Sequence, residues 1–367
     1  MNKIKEFFKN NIKYILILVI VGIIANYPLP YYIEAPGGTI DITNRIDIDG
    51  GYVSKGSLNL LYVTEYRGNV MTYLMGLVLP NFDIEKQEER QISNESAQDI
   101  YIRNRVMLEN SIDNATILAY RHANKTVNIT GYNNIILANY NDNDLKIGDN
   151  IISIDGVKVS NLIDIKNELD KKEANQTITI GVMRDNKEHS FKVKLDDEKK
   201  LGIIVQTDYE YELDPEINIK FKTSESGSSG GLMLALSIYN AITSEDITHG
   251  FKVAGTGTID IEGNVGEIGG VKYKIMGAVK NKMDLVFVPA ANYDEAIEVK
   301  KEHNYDINNS SAWGNYKDSV SPANSGNYEK GKKKNTGSNE NWKANNIKGQ
   351  LRYIGYALYN KKVNYCN

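Results

Sequence analysis

The sequence predicts an α+β multidomain protein that begins with a transmembrane helix and ends in an irregular C-terminal tail. No residue from Tyr14 to Ile33 is charged, and this stretch is about as long as a bilayer-spanning helix. Short strand patterns alternate with helix patterns over most of the chain that follows. Beyond residue 306, Asn, Gly, Ser and Lys dominate and hydrophobic periodicity is largely lost. A length of 367 residues fits about two or three domains.

The composition restricts the classes of partner and cofactor. The formal net charge of −4 provides no basic excess to pair with phosphates, so we predict no nucleic-acid partner. The single cysteine, Cys366, excludes an internal disulfide framework and a cysteine-built zinc site. The four histidines are scattered along the chain, and no phosphate-loop motif occurs. We therefore predict no metal, no nucleotide and no other cofactor.

Residues 1–13 form a basic segment that is expected to stay in the cytoplasm. Four lysines lie in this segment, and basic flanks of a membrane span remain on the inside. We predict that residues 14–33 are a single-pass anchor in the cell membrane and that the rest of the chain is extracellular. A cleavable signal peptide cut near Ala25 is the alternative, although Ile23 is a poor residue for such a cleavage site.

Residues 34–125 are predicted to form a membrane-proximal α/β region. Three prolines are expected to stop the anchor helix and begin an extended segment: Pro28, Pro30 and Pro36. Apolar and polar residues alternate over residues 52–64, and this pattern predicts a strand. Residues 96–122 have a helical pattern that opens with capping-box spacing between Ser96 and Asp99. We expect this helix to pack against other elements rather than to carry chemistry.

Residues 126–197 contain a run of short strands and one helix. The strands are predicted at 135–137, 150–154, 157–159, 177–184 and 189–195, and the helix at 161–172. The motifs LKIGDNIISIDGVKV and TITIGVMRDNKEHSFKVKL resemble a PDZ domain of the kind associated with bacterial proteases. This resemblance implies a PDZ-like β-barrel that binds a peptide carboxylate near Gly131, Tyr132 and Asn133. The peptide would add as a strand along the edge near Ile135. A purely structural PDZ domain is the alternative.

A cluster of small residues precedes an apolar helix pattern in residues 198–306. The segment SESGSSGG begins at Ser224 and leads into LMLALSIYNAIT. Serine and glycine suit a helix cap, which is one interpretation. The other is a nucleophile held at a helix N-terminus, where backbone N–H groups and the dipole favour developing negative charge. Strands are predicted at 217–221, 251–261 and 284–289, with a second helix at 271–281.

Residues 198–306 contain the motifs GSSGGLM, AGTGTIDIEGNVGEIGGVKYK and VFVPAANYDEA. These motifs resemble the proteolytic domain of Lon, particularly the membrane-anchored, ATP-independent Lon-like proteases that carry a PDZ domain. The earlier segment PYYIEAPGGTIDI is similar to the same subfamily. The resemblance implies a Lon-type α/β domain with Ser229 as nucleophile and Lys274 as general base. It also implies that the Thr256 hydroxyl helps to hold the lysine. Ser228 stands where the family usually has proline, and Gly230 where it usually has alanine.

Lys272 is the competing candidate for the base. Two residues apart on a helix, the side chains of Lys272 and Lys274 point about 200° apart, so only one can face the serine. Alignment with the family's GG-x-x-x-K motif selects Lys274. A neutral lysine can remove the serine proton, and burial among apolar side chains lowers the pKa of a lysine. Backbone N–H groups of Ser228 and Ser229 would hold the oxyanion.

The resemblance implies a membrane-anchored extracytoplasmic serine endopeptidase that processes secreted or membrane-tethered peptides. Its partners would be peptide or protein substrates, captured by the PDZ domain, and the membrane. The alternative is a catalytically inactive PDZ peptide-binding or scaffold protein. Residues 307–367 depart from the family pattern, which continues with one more strand and a helix. They are predicted to be a disordered, low-complexity tail, and this aberrant C-terminus is one route to an inactive domain.

Overall fold

A computed structural model of the chain describes residues 2–93 and 95–305. The described residues form two compact units: the first unit comprises residues 2–37 and 63–91, and the second unit comprises residues 38–62, 92–93 and 95–305. The predicted mixed α/β architecture is confirmed. The predicted tail at 307–367 lies outside the described residues.

The described residues contain the following elements. The helices are α1 (Asn2–Ala25), α2 (Val70–Val78), α3 (Gln87–Arg90), α4 (Ala97–His122), α5 (Leu162–Asp170), α6 (Gly231–Ile242), α7 (Val271–Lys280) and α8 (Tyr293–Glu302). The strands are β1 (Pro28–Asp41), β2 (Ile46–Ile48), β3 (Ser57–Asn69), β4 (Asp83–Lys86), β5 (Thr126–Asn139), β6 (Asn150–Ile154), β7 (Val157–Lys158), β8 (Thr177–Arg184), β9 (Lys187–Lys194), β10 (Ile203–Asp214), β11 (Ile217–Ile219), β12 (Lys252–Gly255), β13 (Thr258–Ile259), β14 (Val265–Gly266) and β15 (Leu285–Phe287).

The apolar helix α1 differs in its bounds from the predicted anchor. Residues 6–25 are long and apolar enough to cross a membrane, a test that signal sequences near an N-terminus also pass. The predicted span 14–33 is therefore wrong at its C-terminal end. Pro28 opens β1, because proline cannot continue the helix, and Ile33 is fully buried within the first unit. Hydropathy alone could not separate the last apolar residues of the span from the first buried strand.

The first unit is built around the pairing of β1 with β4. The two strands run antiparallel, with Ile33 opposite Ile84. Arg90 closes the unit by donating hydrogen bonds to three carboxylates with which it forms ion pairs, those of Glu34, Glu65 and Glu85. Charge-assisted bonds of this kind hold a guanidinium in one orientation. Arg90 therefore ties together segments that are distant in sequence.

The second unit has its main core around α6. Ten of the twelve α6 residues are buried, so this helix is apolar on nearly every face. Helix α4 packs beside it, as expected, and its predicted capping box between Ser96 and Asp99 is present. The first residues of β3 pair in parallel with β12, which pairs in parallel with β15. Residues of both β3 and α4, which lie within the predicted membrane-proximal region 34–125, belong to this core.

The PDZ-like part is a sheet of order β10-β5-β6-β8-β9 with β7 beside β6. Its core includes apolar side chains from β6, β8, β9 and α5. The strands at 150–154 and 177–184 and the helix near 161–172 follow the prediction closely. They do so because alternating β-branched residues and the Asn161 cap are local signals.

The predicted peptide-binding edge differs from the structure. Gly131, Tyr132 and Asn133 do not form a loop but lie inside β5, where they pair with β10. Ile135 has Gln206 on one side and Asn150 on the other. Strand addition requires unpaired backbone groups, so a peptide cannot add at Ile135 without displacing a strand. The prediction failed because asparagine and glycine favour turns locally. The conformation of these residues is instead set by pairing with β10, which is distant in sequence.

Candidate active site

The serine cluster forms the turn that leads into α6. Ser229 lies two residues before the helix begins, and it is half-buried. The N-cap residue is Gly230, and no side chain caps this helix. The cap position predicted for serine or glycine is therefore occupied by a glycine, and no serine side chain caps the helix. A Cβ at Gly231 would meet the Ile259 backbone nitrogen at 3.0 Å and the Ser111 hydroxyl at 2.8 Å, which explains a glycine at this close approach.

Helix α4 holds the segment that precedes Ser229. The Gly227 N–H donates to the Asn104 carbonyl oxygen at 2.9 Å, and the Ser111 hydroxyl donates to the Ser228 carbonyl oxygen at 3.1 Å. Arg105 Nη1 donates to the Glu225 carbonyl oxygen at 2.9 Å. The sequence analysis missed this contribution. A signal existed, since Ser111 is a polar residue one helical turn before Ala115, on the apolar stripe of α4.

A second support of the serine segment is the ion pair between Arg45 and Glu225. Arg45 Nη1 lies 2.6 Å from Glu225 Oε2, and the Lys222 N–H donates to the same oxygen at 2.8 Å. Burial acts to raise the pKa of Glu225, but the hydrogen bonds from Arg45 and Lys222 outweigh burial and hold this pKa below its ordinary value. The Arg45 guanidinium also lies over the Phe221 ring, 5.7 Å from its centroid. These contacts fold the segment into a fixed turn.

Thr256 and Gly257 bind the carbonyl group of Ser229 itself. The Thr256 hydroxyl donates to the Ser229 carbonyl oxygen at 2.9 Å, and the Gly257 N–H donates to it at 2.8 Å. The Leu232 N–H donates to the Gly257 carbonyl oxygen at 3.0 Å. The predicted strand 251–261 is broken here into β12 and β13 because Thr256 and Gly257 turn toward the serine. The structure thus brings Thr256 to Ser229; the orientation of Lys274 by Thr256 stays a prediction.

The two candidate lysines differ in their surroundings on α7. Lys274 is 4% exposed, and its helix packs through Val271 and Ile275 onto the cluster that includes Ala254 of β12. Lys272 is half-buried, with its ammonium group 5.2 Å from the centroid of the Tyr273 ring. The helix therefore turns the two side chains to different environments, as its geometry requires. Burial of an amine in general favours its neutral form over its charged form.

The turn also presents backbone donors beside the serine. Within residues 2–93 and 95–305, no hydrogen bond is made by the backbone N–H groups of Ser228 and Ser229. Such donors next to a nucleophile can stabilise a tetrahedral oxyanion. No group of three or more His, Cys, Asp or Glu side chains in the described part of the chain is placed to hold a metal ion. Acyl transfer by a serine requires a base that removes the hydroxyl proton, and a buried lysine is one of the groups that can act as this base.

Two family models match the chain. Residues 181–313 match the Lon protease (S16) C-terminal proteolytic domain, and residues 137–195 match the PDZ domain. The second match begins after Gly131, Tyr132, Asn133 and Ile135, the residues predicted to bind peptide.

Three similar curated proteins are Lon proteases. That of Mesomycoplasma hyopneumoniae (strain 232) is 36% identical over 78 residues, which cover 21% of this chain and 9% of the relative. That of the aster yellows witches'-broom phytoplasma (strain AYWB) is 32% identical over 101 residues, covering 28% of this chain and 12% of the relative. That of Neorickettsia sennetsu (strain ATCC VR-367 / Miyayama) is 34% identical over 79 residues, covering 22% of this chain and 9% of the relative. The chain therefore spans only 9% to 12% of the length of these relatives.

Proposed function

We propose that this chain, which carries a PDZ domain and the proteolytic domain of the Lon family, is a serine endopeptidase that acts through Ser229 and Lys274 without ATP. The observation that carries the proposal is the match of residues 181–313, because this span contains Ser229, Thr256 and Lys274 in the order that the family motifs require. The two hydrogen bonds to the Ser229 carbonyl group and the burial of Lys274 support it.

The reaction begins with proton transfer from serine to lysine. Neutral Lys274 Nζ takes the proton of Ser229 Oγ, and Oγ attacks the carbonyl carbon of the scissile peptide bond. Backbone N–H groups of Ser228 and Ser229 hold the oxyanion, an interaction worth about 3 kcal/mol per donor. The protonated lysine then gives its proton to the leaving amine, and the acyl-enzyme forms. Lys274 next activates the water that hydrolyses the acyl-enzyme.

The site of action in this proposal is the outer face of the cell membrane. Helix α1 is the anchor, and the lysines that precede residue 14 keep the N-terminus in the cytoplasm. Substrates would then be secreted or membrane-tethered peptides. The PDZ domain would capture them, and strands β9 and β10 are the outer strands of its sheet within the described residues.

The test is cleavage of casein by the full chain in detergent. We expect cleavage by the natural chain, its loss in Ser229→Ala and its retention in Ser226→Ala, because Ser226 is exposed and lies outside the dyad. The Ser229→Ala chain should still retain labelled substrate peptide if the PDZ domain captures it. A folded natural chain that binds peptide but cleaves nothing would favour the inactive binding protein instead.

The Arg45–Glu225 pair gives a second prediction about the same site. Arg45→Ala should lower kcat by about threefold to tenfold with little change in KM, because misplacing the serine turn costs orientation rather than binding. Arg45→Lys should recover part of the loss. Lys220→Ala is the matched control, because the substitution keeps the backbone bonds of Lys220 with Arg45 and removes a side chain that forms an exposed ion pair with Asp47. Steady-state kinetics would contradict the prediction if Lys220→Ala and Arg45→Ala had equal effects.

A further inference from the structure

Helix α2 exposes an apolar face in the first unit. No residue from Gly68 to Phe82 is charged, and α2 lies within this stretch. Four of its apolar side chains are exposed: Met71 58%, Leu74 55%, Leu77 61% and Val78 80%. At about 100° per residue, these four positions fall on one arc of about 120°. The helix therefore presents a continuous apolar stripe to its surroundings.

The opposite face of α2 is fixed within the first unit. A Cβ at Gly76 would meet the Ile84 side chain at 2.6 Å, so this glycine allows close packing on β4. The Tyr73 ring packs on that of Tyr31, with 5.0 Å between centroids. A capping box between Asn69 and Thr72 fixes the start of the helix. The stripe consequently cannot rotate inward without breaking these contacts.

The start of α2 is tied to the end of α1. The Val70 N–H donates to the Tyr27 carbonyl oxygen at 3.2 Å, and α1 ends at Ala25. If α1 crosses the bilayer, this bond holds the start of α2 at the membrane boundary. Tyr27 is 63% exposed at this point, and tyrosine is enriched at membrane interfaces. With nine residues, α2 is too short to span a bilayer, which needs about twenty.

We propose that α2 is an interfacial helix whose stripe of Met71, Leu74, Leu77 and Val78 inserts into the outer leaflet of the bilayer beside the anchor. The inference rests on the membrane anchor of the proposed function and adds a second membrane contact. The occupant is lipid because the stripe carries no charge and begins where the apolar α1 ends. A second membrane contact restricts the rotation of the first unit on its anchor.

The test uses full chains in phosphatidylcholine–phosphatidylglycerol vesicles that contain nitroxide-labelled lipid. In a Cys366→Ser background, single cysteines at Leu74, Val78, Glu88 and Ile17 carry an environment-sensitive fluorophore. We expect quenching at Leu74→Cys and Val78→Cys at least about threefold stronger than at exposed Glu88→Cys, since an interfacial helix inserts its apolar face about 5 to 10 Å. Casein cleavage reports that each labelled chain is folded.

The label at Ile17→Cys, in α1, shows whether a negative result contradicts the α2 inference or the anchor proposal. Strong quenching at Ile17→Cys with quenching at Leu74 and Val78 equal to that at Glu88 would overturn the α2 inference alone. Absent quenching at Ile17→Cys would overturn the anchor, whatever the α2 positions show. If the stripe binds a second copy of the chain or a substrate instead, the fluorophores at Leu74 and Val78 shift their emission without lipid quenching, and the inference is wrong.

Discussion

Lys274→Arg is expected to reduce peptide cleavage to background, whereas Lys272→Arg is expected to retain most of it. Arginine keeps its charge at any workable pH and cannot accept the proton of Ser229. General base catalysis contributes about 100-fold to 10,000-fold, so the loss at Lys274 should be at least about 100-fold. Lys272 is the matched control on the same helix, and an arginine there can still lie over the Tyr273 ring.

The comparison is made on kcat/KM for a peptide substrate, with thermal unfolding as the check of folding. The natural chain and Lys272→Arg should become faster from mildly acid to mildly alkaline pH, because the neutral fraction of Lys274 rises with pH. Activity in Lys274→Arg together with inactivity in Lys272→Arg would show that the base is assigned to the wrong lysine. Loss of activity in both variants would remove the reason for preferring Lys274.

The elements that sequence could predict are those specified by neighbouring residues. The start of α4 follows from the capping box of Ser96 and Asp99, and α7 follows from its apolar spacing after Gly270. Strands β8 and β9 follow from alternation on either side of the turn at Asp185. In each case the signal lies within a few residues of the element, so no knowledge of the tertiary structure was needed.

The elements that sequence missed depend on distant partners. Strand β10 forms along β5, with Thr207 opposite Asn134. The parallel pairing of Leu58 with Val253 joins segments at opposite ends of the second unit's sequence. Neither segment has a pattern that identifies its partner, because sheet pairing reflects packing against neighbours as much as intrinsic preference. The peptide-binding edge was misplaced for this reason.

In the candidate site, too, some residues could be identified from the sequence, whereas others depend on contacts between distant segments. The resemblance to the family's motifs, carried over position by position, selected Ser229, Thr256 and Lys274, and the Thr256 hydroxyl bonds the Ser229 carbonyl group in the structure. The supports from Ser111 and Arg45 were missed because each joins the serine segment across more than 100 residues. A motif identifies the residues that touch a substrate, whereas the residues that hold the motif in place are specified by the fold.

Asp113→Asn is expected to stabilise the protein at neutral and alkaline pH. Asp113 lies on α4 facing β10, and burial raises its pKa to about 7. The Tyr211 hydroxyl donates to it at 2.9 Å, which acts in the opposite direction, while Asp208 and Glu109 raise the pKa further. The folded protein therefore binds this proton more tightly than the unfolded chain. Stability is highest below pH 3.8, falls as pH rises toward about 7, and is then constant for this group.

The expected gain in stability for Asp113→Asn follows from the pKa shift of Asp113. Each pKa unit is worth about 1.4 kcal/mol, so a shift of roughly three units, reduced for partial exposure, predicts a gain of about 2 to 4 kcal/mol at pH 8. Asparagine removes the buried charge and can still accept the Tyr211 hydrogen bond. Glu109→Gln, one turn earlier on α4 and exposed, is the control: Glu109 raises the Asp113 pKa less than burial and Asp208 do, so stability should change by less than about 0.5 kcal/mol.

Melting temperatures measured from pH 4 to pH 9 test this prediction. The natural chain and Asp113→Asn should differ least at pH 4, diverge up to about pH 7 and stay apart above it. The prediction would be contradicted if the difference in melting temperature between the two chains were constant across this range. A lower melting temperature for Asp113→Asn than for the natural chain at pH 8 would also contradict it. Because α4 also bonds the Ser228 carbonyl group through Ser111, unfolding of α4 would release a support of the serine. Asp113→Asn should therefore preserve cleavage in long alkaline incubations in which the natural chain loses it.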